Sequence, residues 1–493
     1  MIKLNTLETK VNTHTVTLIP GDGIGPEIMQ AVRKIVAAAG ADIVWEEAAA
    51  GAKVFEAGIA SGVPVETLDS LATNKIALKG PLATPVGFGG KSANVTLRKL
   101  FETFGNIRPV RELPGVQTPF SGRGIDLVVV RENVEDLYAG IEHHQTADVA
   151  QCLKLISTKG CEKISRLAFE LARAEGRSTI HVATKANIMK KTEGMMKREF
   201  EAVAKHYGDI EAQHILIDNC AHQLVIRPEQ FDIILTTNMN GDIISDLTSG
   251  LVGGLGLAPS ANIGHDCAIF EAVHGSAPDI AGRDMANPTA LLLSSVMMLR
   301  HLGEFAPAAA IENALIQTLR DGQGAPADIA GDRPVLGTSA FTDAIIENLE
   351  TPDFNRQTRE YRSIQIPAKS DRVARDQPQS AEIIGVDVFT EMDAAPGIVG
   401  RLLEQAAEGT PFNLKMVSNR GTMVYPERGA STDCVNHWRC RFTMSHGPVA
   451  DIGLTGMEAL LRRIEASGMR WMHIEKLHRY NGEDAFTKAQ GED

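Results

Sequence analysis

The chain has 493 residues, of which 43% are hydrophobic and 23% charged, and its formal net charge at pH 7 is −13. This length predicts two or three domains with a substantial buried core, and the negative charge disfavours nucleic acids and anionic membranes as partners. The sequence shows no apolar run of about 18 residues, no secretory signal and no CxxC pair among its six cysteines, which predicts a cytoplasmic protein with reduced thiols and no membrane segment.

The first predicted elements are a strand over residues 16–20, a glycine-rich turn over residues 21–25, and a helix. Pro26 at the first helical position and Gly40 beyond the last turn predict the limits of this helix. The turn comes close to the G-x-G-x-x-G fingerprint of Rossmann folds but has proline at its last position. A Rossmann dehydrogenase is therefore disfavoured.

Three motif segments with closely spaced polar residues follow along the chain. They are Lys79-Gly80-Pro81-Leu82 followed by Ser92-Ala93-Asn94-Val95-Thr96-Leu97-Arg98; Arg131-Glu132-Asn133-Val134-Glu135-Asp136-Leu137-Tyr138-Ala139-Gly140; and His274-Gly275-Ser276-Ala277-Pro278-Asp279-Ile280-Ala281-Gly282 leading to Asn287. After the last of these, Asn287 and Pro288 predict the start of a helix that ends before Gly303.

Two aspartates four residues apart, Asp242 and Asp246, follow a short apolar strand at residues 231–237 and an Asn-Gly turn. Apolar residues at helical spacing past the turn place both carboxylates on one helical face. Such oxygen ligands suit Mg²⁺ or Mn²⁺. An acidic first helical turn without a metal is the alternative, and the pair alone does not decide between them.

In this order and spacing, the motifs resemble the β-decarboxylating dehydrogenases, and within them the isocitrate dehydrogenases, from about residue 13 to 349. The resemblance implies an α/β fold of the isocitrate/isopropylmalate dehydrogenase type, which is not a Rossmann fold. It implies a large cofactor-binding domain at 1–103 and 253–350, and a small substrate and dimerisation domain at 104–252. A homodimer is also implied, with a clasp at about 139–160 and active sites shared between subunits.

The resemblance further implies metal-dependent oxidative decarboxylation of isocitrate to 2-oxoglutarate and CO₂, a reaction of the tricarboxylic acid cycle. Tyr138 is expected to donate a proton and Lys185 to act as a base, and Mg²⁺ or Mn²⁺ is expected on Asp218, Asp242 and Asp246. The implied substrate-binding residues are Ser92, Asn94, Arg98, Arg108 and Arg131. The implied cofactor-binding residues are Lys79, Thr84, Asn94, His274, Gly275, Ala277, Asp279, Ile280 and Asn287.

The residues also bear on which acid is oxidised. Arginine binds carboxylates bidentately, and Ser92 and Asn94 offer donors for a third carboxylate. An isopropyl group would leave those donors unpaired, at a cost of ~1–3 kcal/mol each, so isocitrate is favoured over isopropylmalate. Homoisocitrate remains open because one methylene discriminates weakly. A non-catalytic regulatory subunit is disfavoured because the expected tyrosine, lysine and aspartates are all present.

The cofactor prediction depends on Asp279 and Ile280, which stand where NADP-dependent relatives have lysine and tyrosine. A carboxylate there accepts hydrogen bonds from ribose hydroxyls and repels a 2′-phosphate. NAD is therefore predicted, with NADP as the less favoured cofactor. Arg283 is the one nearby feature that opposes this prediction.

The last third of the chain departs from the short form of the family. Residues 351–380 are polar and proline-containing, as in a linker. Residues 381–493 follow a β-α-β-β-α-β order, which predicts an α+β ferredoxin-like domain. We expect this domain to serve assembly into a higher oligomer, with Trp438, Phe442 and Trp471 on an apolar outer sheet face; regulation by a small ligand is the alternative. Cys434, His437 and Cys440 are interpreted as core residues rather than metal ligands.

Overall fold

The computed structural model describes residues 13–83, 92–350, 361–366, 368, 378–429, 431–449 and 451–492. Their contacts divide into two compact units. The first lies within Met1–Tyr138, Leu155–Ile188 and Thr192–Val373, and the second within Ala139–Lys154, Met189–Lys191 and Ala374–Asp493. No helix found in these ranges is both long and apolar enough to cross a membrane.

Strands and helices alternate through the first unit, as the sequence predicts. The strands of the chain are β1 His14–Ile19, β2 Ile43–Glu47, β3 Ile76–Lys79, β4 Gly105–Arg111, β5 Asp126–Glu132, β6 Glu142–His144, β7 Ala150–Cys152, β8 Thr179–Thr184, β9 Glu211–Leu216, β10 Ile233–Thr236, β11 Pro259–Ile263, β12 Ala268–Ala272, β13 Ala381–Glu391, β14 Phe412–Asn419, β15 Thr422–Tyr425, β16 His437–Met444, β17 Arg470–Tyr480 and β18 Glu483–Asp484. The helices are α1 Gly25–Ala38, α2 Ala52–Glu56, α3 Val65–Asn74, α4 Ala93–Leu100, α5 Thr158–Glu175, α6 Thr192–Ala204, α7 Ile217–Ile226, α8 Asn238–Val252, α9 Thr289–Leu302, α10 Phe305–Asp321, α11 Thr338–Glu347, α12 Pro396–Ala407 and α13 Leu454–Ala466.

One ten-stranded sheet organises the first unit, in the order β2-β1-β3-β12-β11-β4-β5-β10-β8-β9. The strands pair in parallel toward both edges. The three central pairs, β12 with β11, β11 with β4, and β4 with β5, are antiparallel. The short link between β11 and β12 is consistent with this, since parallel pairing needs a longer crossover. The sheet spans both domains predicted for residues 1–350, so that division stays a prediction.

Both faces of this sheet are covered, which explains the uninterrupted apolar run of β5. Val128 and Val130 pack in a core cluster that includes residues of α5 and α9. Leu127 and Val129 pack in a second cluster with residues of α7 and α8. Arg131 has the phase of Leu127 and Val129, and the strand therefore directs it toward α8.

The second unit contains a six-stranded sheet in the order β15-β14-β16-β13-β17-β18. Its four central strands are antiparallel and, with α12 and α13, have the predicted ferredoxin-like order, so this fold class is confirmed. Residues 412–425 form two strands of this sheet, β14 and β15. Arg420 and Gly421 have positive φ angles of 49° and 86° and turn the chain into the hairpin of β14 and β15.

Two of the three aromatic residues predicted for the outer face of this second sheet lie on its inner face instead. Trp438 and Phe442 are 1% and 0% exposed and pack in the core with the helices. The opposite face carries Asp387 and Arg441, whose ion pair is completed by Glu492 near the end of the chain. The chain thus covers this face itself, and an assembly role for the domain stays a prediction.

The predicted clasp is a two-stranded hairpin of β6 and β7 that clusters with the second unit. Gln145 lies 3.2 Å from Nδ1 of His473, and Thr146 donates a hydrogen bond to Asn436 at 3.0 Å. His473 in turn stacks on Phe389 with ring centroids 4.0 Å apart. The hairpin is therefore held by polar contacts to residues of the carboxy-terminal domain.

Candidate active site

The predicted metal-binding pair lies near the start of helix α8. This helix begins at Asn238 and includes Asn240 and Gly241, so the prediction of a turn at Asn-Gly is wrong. A Cβ atom at Gly241 would lie 2.5 Å from Cγ of Arg131. Glycine is required because the arginine side chain packs directly against the first turn of the helix.

Asp242 contacts three of the other predicted site residues. Its Oδ2 accepts a hydrogen bond from the Tyr138 hydroxyl at 2.5 Å, and its Oδ1 pairs with Arg131 and lies 3.6 Å from Nη2 of Arg108. Burial opposes ionisation of Asp242, but Arg131 and the Tyr138 hydrogen bond outweigh it and lower its pKa. Asp246 lies one turn further on, 3.6 Å from Arg108, and burial raises its pKa.

The three arginines predicted to bind substrate share one electrostatic environment. Arg108 and Arg131 are 6% and 1% exposed. Burial lowers the pKa of Arg108 to about 10, and repulsion from Arg131 and Arg98 adds to the effect. Burial followed by repulsion from Arg98 lowers the pKa of Arg131. These shifts mark a concentration of positive charge in an otherwise acidic chain, which suits a ligand with several carboxylates.

The segment that leads into helix α4 presents polar atoms that the described residues leave unsatisfied. Oδ1 of Asn94 and Nε of Arg98 are both buried without a hydrogen-bond partner. Buried polar atoms of this kind are rare, and a polar ligand would satisfy them. Ser92 occupies the N-cap position, although its side chain makes no capping hydrogen bond. Thr84 falls outside the residues that the structure describes.

Glu271 is a residue of this region that sequence reasoning missed. It pairs with Lys79 at 2.6 Å and with Arg98 at 2.9 Å, and β12 holds it opposite Lys79 in the parallel register with β3. Burial opposes its ionisation, but the two cations outweigh burial and hold its pKa well below the ordinary range. The available signal was a single charged residue inside the apolar strand Ala268-Ile269-Phe270-Glu271-Ala272.

Lys185 and Asp218 form a separate pair. Nζ of Lys185 lies 2.9 Å from Oδ2 of Asp218, and this hydrogen bond lowers the pKa of the carboxyl. The side chain of Glu193 accepts a hydrogen bond from the Lys185 backbone at 3.0 Å and fixes the loop after β8. Over the described ranges no three His, Cys, Asp or Glu side chains gather as a metal site. One chain therefore does not bring Asp218 to Asp242 and Asp246.

The loop predicted to bind the cofactor packs against the glycine-rich turn. The backbone of Ile24 donates to Ser276 O at 2.9 Å, and a Cβ atom at Gly23 would lie 1.9 Å from that oxygen. Nδ1 of His274 lies 3.0 Å from Gly275 O, while its Nε2 is buried without a partner among the described residues. Burial lowers the pKa of His274 and favours its neutral form.

The remaining predicted cofactor residues differ in their hydrogen bonds and in their exposure. Asn287 donates to Asp328 at 3.0 Å and accepts from the Thr289 backbone at 3.0 Å, so it fixes the start of α9. Ala277 has a left-handed φ of 39° and begins the short 3₁₀ turn Pro278–Ile280. Asp279 is exposed at the surface of this turn. The unpartnered ring nitrogen of His274 is the feature of this loop that fits a nucleotide.

Asp242 and Asp246 fit a hard divalent cation. Both present carboxylate oxygens from one helix face, and their side chains keep 38% and 57% exposure, so the oxygens are accessible to an ion. Beside them lie guanidinium groups for an anion and the Tyr138 hydroxyl as a proton source. The arrangement can thus bind an oxygen-rich anion next to a metal and deliver a proton to it.

Comparisons with known proteins identify the family of this chain. A family model described as isocitrate/isopropylmalate dehydrogenase matches residues 15–345, and one described as bacterial isocitrate dehydrogenase, C-terminal domain, matches residues 381–492. A relative from Thermus thermophilus named isocitrate dehydrogenase [NADP] is 60% identical over 97% of this chain and 96% of its own. One of the same name from Rickettsia conorii is 38% identical over 97% and 99%. The crystal structure of the TT0538 protein from Thermus thermophilus matches with a TM-score of 0.93 and 59% identity, over 97% of this chain and 96% of that one.

The names of these full-length relatives contradict the prediction of NAD as the cofactor. That prediction assumed that the carboxylate of Asp279 repels a 2′-phosphate strongly enough to disfavour NADP. The side chain is exposed, and between exposed charges water reduces such repulsion to about 1 kcal/mol at 4 Å. Arg283 lies on the same turn, where its backbone donates to Ile280 O at 3.2 Å, and it supplies an opposing positive charge.

Proposed function

We propose that this chain, which belongs to the isocitrate/isopropylmalate dehydrogenase family and within it to the isocitrate dehydrogenases, oxidises and decarboxylates isocitrate to 2-oxoglutarate and CO₂ with reduction of NADP. The observation that carries the proposal is the contact set of Asp242, which joins a metal-competent carboxylate to two buried arginines and a tyrosine hydroxyl. This combination supplies anion binding, cation binding and proton transfer at one place.

The arginines select the substrate. Arg98, Arg108 and Arg131 hold the carboxylates nearest the reacting carbon. Ser92 and Nδ2 of Asn94 would donate to the third carboxylate, and the buried Oδ1 of Asn94 would accept from a donor on the cofactor. An isopropyl group in this position leaves the amide without its partner, at a cost of ~1–3 kcal/mol, which supports isocitrate over isopropylmalate.

The proton transfers fall to Lys185 and Tyr138. Lys185 removes the proton of the substrate hydroxyl as hydride leaves for the nicotinamide, and loss of CO₂ then leaves an enolate. Burial and Asp242 raise the pKa of Tyr138, so its hydroxyl keeps a proton to donate to the enolate carbon. Asp242 and Asp246 would hold Mg²⁺ or Mn²⁺, which would supply Lewis-acid polarisation of the forming carbonyl.

The active enzyme is proposed to be a homodimer. Lys185 pairs with Asp218 and not with the Asp242 group in one chain, so a second subunit is required to bring the base and third carboxylate to the metal. Ile243 on α8 and Ile226 on α7 are 60% and 50% exposed and provide apolar surface for such contact. The site would then combine residues of both chains.

Mixing two inactive variants tests the shared site. Asp242→Asn and Lys185→Met each remove one essential group, and their mixed dimers contain one site with neither change. We expect each variant alone to lose turnover by about 100-fold or more, and unfolding and refolding the mixture to restore up to a quarter of the wild-type rate. No recovery, in a mixture shown by mass spectrometry to contain mixed dimers, would mean that each chain acts alone.

A further inference from the structure

A buried chain of hydrogen bonds runs across the centre of the large sheet. Nδ2 of Asn262 donates to Glu271 at 2.7 Å, and its Oδ1 accepts from Nδ2 of Asn106 at 2.9 Å. Oδ1 of Asn106 accepts from Nε of Arg108 at 2.6 Å. Glu271 pairs with Lys79 at 2.6 Å. A continuous polar path therefore joins Lys79 on β3 to Arg108 on β4 through β12 and β11.

Asn262 is the junction of this path. Its Oδ1 also accepts from Asn133 at 3.0 Å and its Nδ2 also donates to Ile269 O at 3.2 Å, so the amide makes four hydrogen bonds. Asn262 and Asn106 are antiparallel partners in the sheet and are 1% and 0% exposed. An amide is the side chain that offers both acceptor and donor at this point, one toward each half of the site.

We infer that Asn262 is a positioning residue that sets the orientation of Arg108 on the substrate side and of the Lys79–Glu271 pair on the cofactor side. The inference rests on the proposed function, which gives Arg108 its substrate role, and on the cofactor role that the family resemblance implies for Lys79. Asn262 itself touches neither ligand. Its effect passes through Asn106 in one direction and through Glu271 in the other.

The contacts of Arg108 explain why its orientation needs support. The guanidinium is buried beside Arg131 and Arg98, whose repulsion disfavours this placement. Besides Asn106 it has Ser245 as a hydrogen-bond partner at 2.5 Å, while the nearest oxygens of Asp242 and Asp246 are 3.6 Å away. Asn106 therefore fixes Nε, which leaves the fork of the guanidinium directed at the aspartates and the substrate.

Two substitutions separate positioning from stability. Asn262→Leu keeps the side-chain size and removes all four hydrogen bonds, so the apparent affinities for isocitrate and for NADP should each fall roughly 10- to 100-fold. The matched control is Thr17→Val on strand β1 of the same sheet, which removes the hydrogen bonds of the Thr17 hydroxyl with Ser70 and Asn74 of α3. It should lower the melting temperature without changing either affinity.

Asn262→Asp is the second test and keeps the variant close to the native shape. The introduced carboxylate still accepts from Asn106 and Asn133 but cannot donate to Glu271, which faces Lys79 and Arg98. NADP binding should weaken more than isocitrate binding. Lowering the pH should restore much of the loss relative to wild type, because the protonated carboxyl again donates to Glu271.

The outcomes are distinct. Loss of affinity on both sides in Asn262→Leu, with the pH-dependent and NADP-selective loss in Asn262→Asp, supports positioning by Asn262. If both variants bind isocitrate and NADP as Thr17→Val does and lose only stability, the inference is wrong. If the wild-type chain itself binds neither isocitrate nor NADP, the proposed function is wrong, and the role inferred for Asn262 is wrong with it.

Discussion

The hydroxyl of Tyr138 donates to Oδ2 of Asp242 at 2.5 Å, which links the proposed proton donor to the proposed metal ligand. The guanidinium of Arg131 pairs with the other oxygen of the same carboxylate and lies 5.0 Å from the tyrosine ring. The carboxylate therefore fixes both the acid and one substrate-binding arginine. A change at any of the three groups should affect the others.

Tyr138→Phe removes the proton donor while keeping the ring against Arg131. We expect kcat to fall about 100-fold or more, because protonation of the enolate becomes slow, with a much smaller change in the KM for isocitrate. Tyr207→Phe is a matched control, since the Tyr207 hydroxyl bonds Glu170 at 2.8 Å away from the site. Steady-state kinetics of both variants tests this prediction. An unchanged kcat in Tyr138→Phe would exclude Tyr138 as the proton donor.

The second prediction concerns the buried ion pair of the carboxy-terminal domain. Arg441→Met should destabilise this domain by up to ~3–5 kcal/mol, because Asp387 and Glu492 lose their fully buried cation. They keep only the less buried Arg439 and Lys415 as partners. Arg462→Met removes a pair that is 75% exposed on the arginine side, and should cost below ~1 kcal/mol. Denaturant unfolding followed by fluorescence reports on the domain through Trp438 and Trp471. Equal effects of the two substitutions would show that the burial of Arg441 carries no extra stability.

The third prediction is a loss of stability on acidification in the second unit. Burial, with repulsion from His143, lowers the pKa of His473, and burial with repulsion from His473 lowers that of His437; Glu475 and Glu391 partly oppose these shifts. Both histidines bind protons more readily in the unfolded state than in the folded state. Their contribution to the free energy of unfolding is therefore fully present above about pH 6.5 and is lost as the pH falls through and below that value.

His473→Gln removes one of these titrations. The fall in melting temperature between about pH 7.5 and about pH 5.5 should be smaller in His473→Gln than in wild type. His206→Gln, at an exposed histidine of the first unit, serves as the control and should leave the fall unchanged. Identical pH dependence in all three proteins would contradict the assignment to His473.

The helices and strands that frame the site were predictable because their signals are local. Helix α9 begins after Asn287 and ends before Gly303, as the capping residues indicate. The start of α8 was mispredicted because the reason for Gly241 is the side chain of Arg131, a contact between residues far apart in sequence. Glu271 was missed for the same reason, since its two cations lie on β3 and α4.

The cofactor was mispredicted for an electrostatic reason. Sequence reasoning identified Asp279 and Arg283 but could not compare their effects on a 2′-phosphate, because the interaction energy of a charge depends on how exposed it is. The face of the second sheet on which Trp438 and Phe442 lie was also mispredicted. Trp438 and Phe442 alternate with Arg439 and Arg441 along β16, so the two aromatic residues lie on one face of the strand and the two arginines on the other. The sequence of the strand alone does not show which of these faces packs against the helices. The ion pair of Arg441 with Glu492 is a tertiary contact that the strand sequence does not show.

The most direct test of the proposed function is to measure the products of the purified chain with isocitrate, Mn²⁺ and either nucleotide. We predict that NADPH, CO₂ and 2-oxoglutarate form in equal amounts, that NAD gives a lower kcat/KM, and that removal of the metal by EDTA stops the reaction. Asp242→Asn should need far more Mn²⁺ for any residual rate. Reduction of nucleotide without release of CO₂, or a higher kcat/KM with NAD, would contradict the proposed reaction.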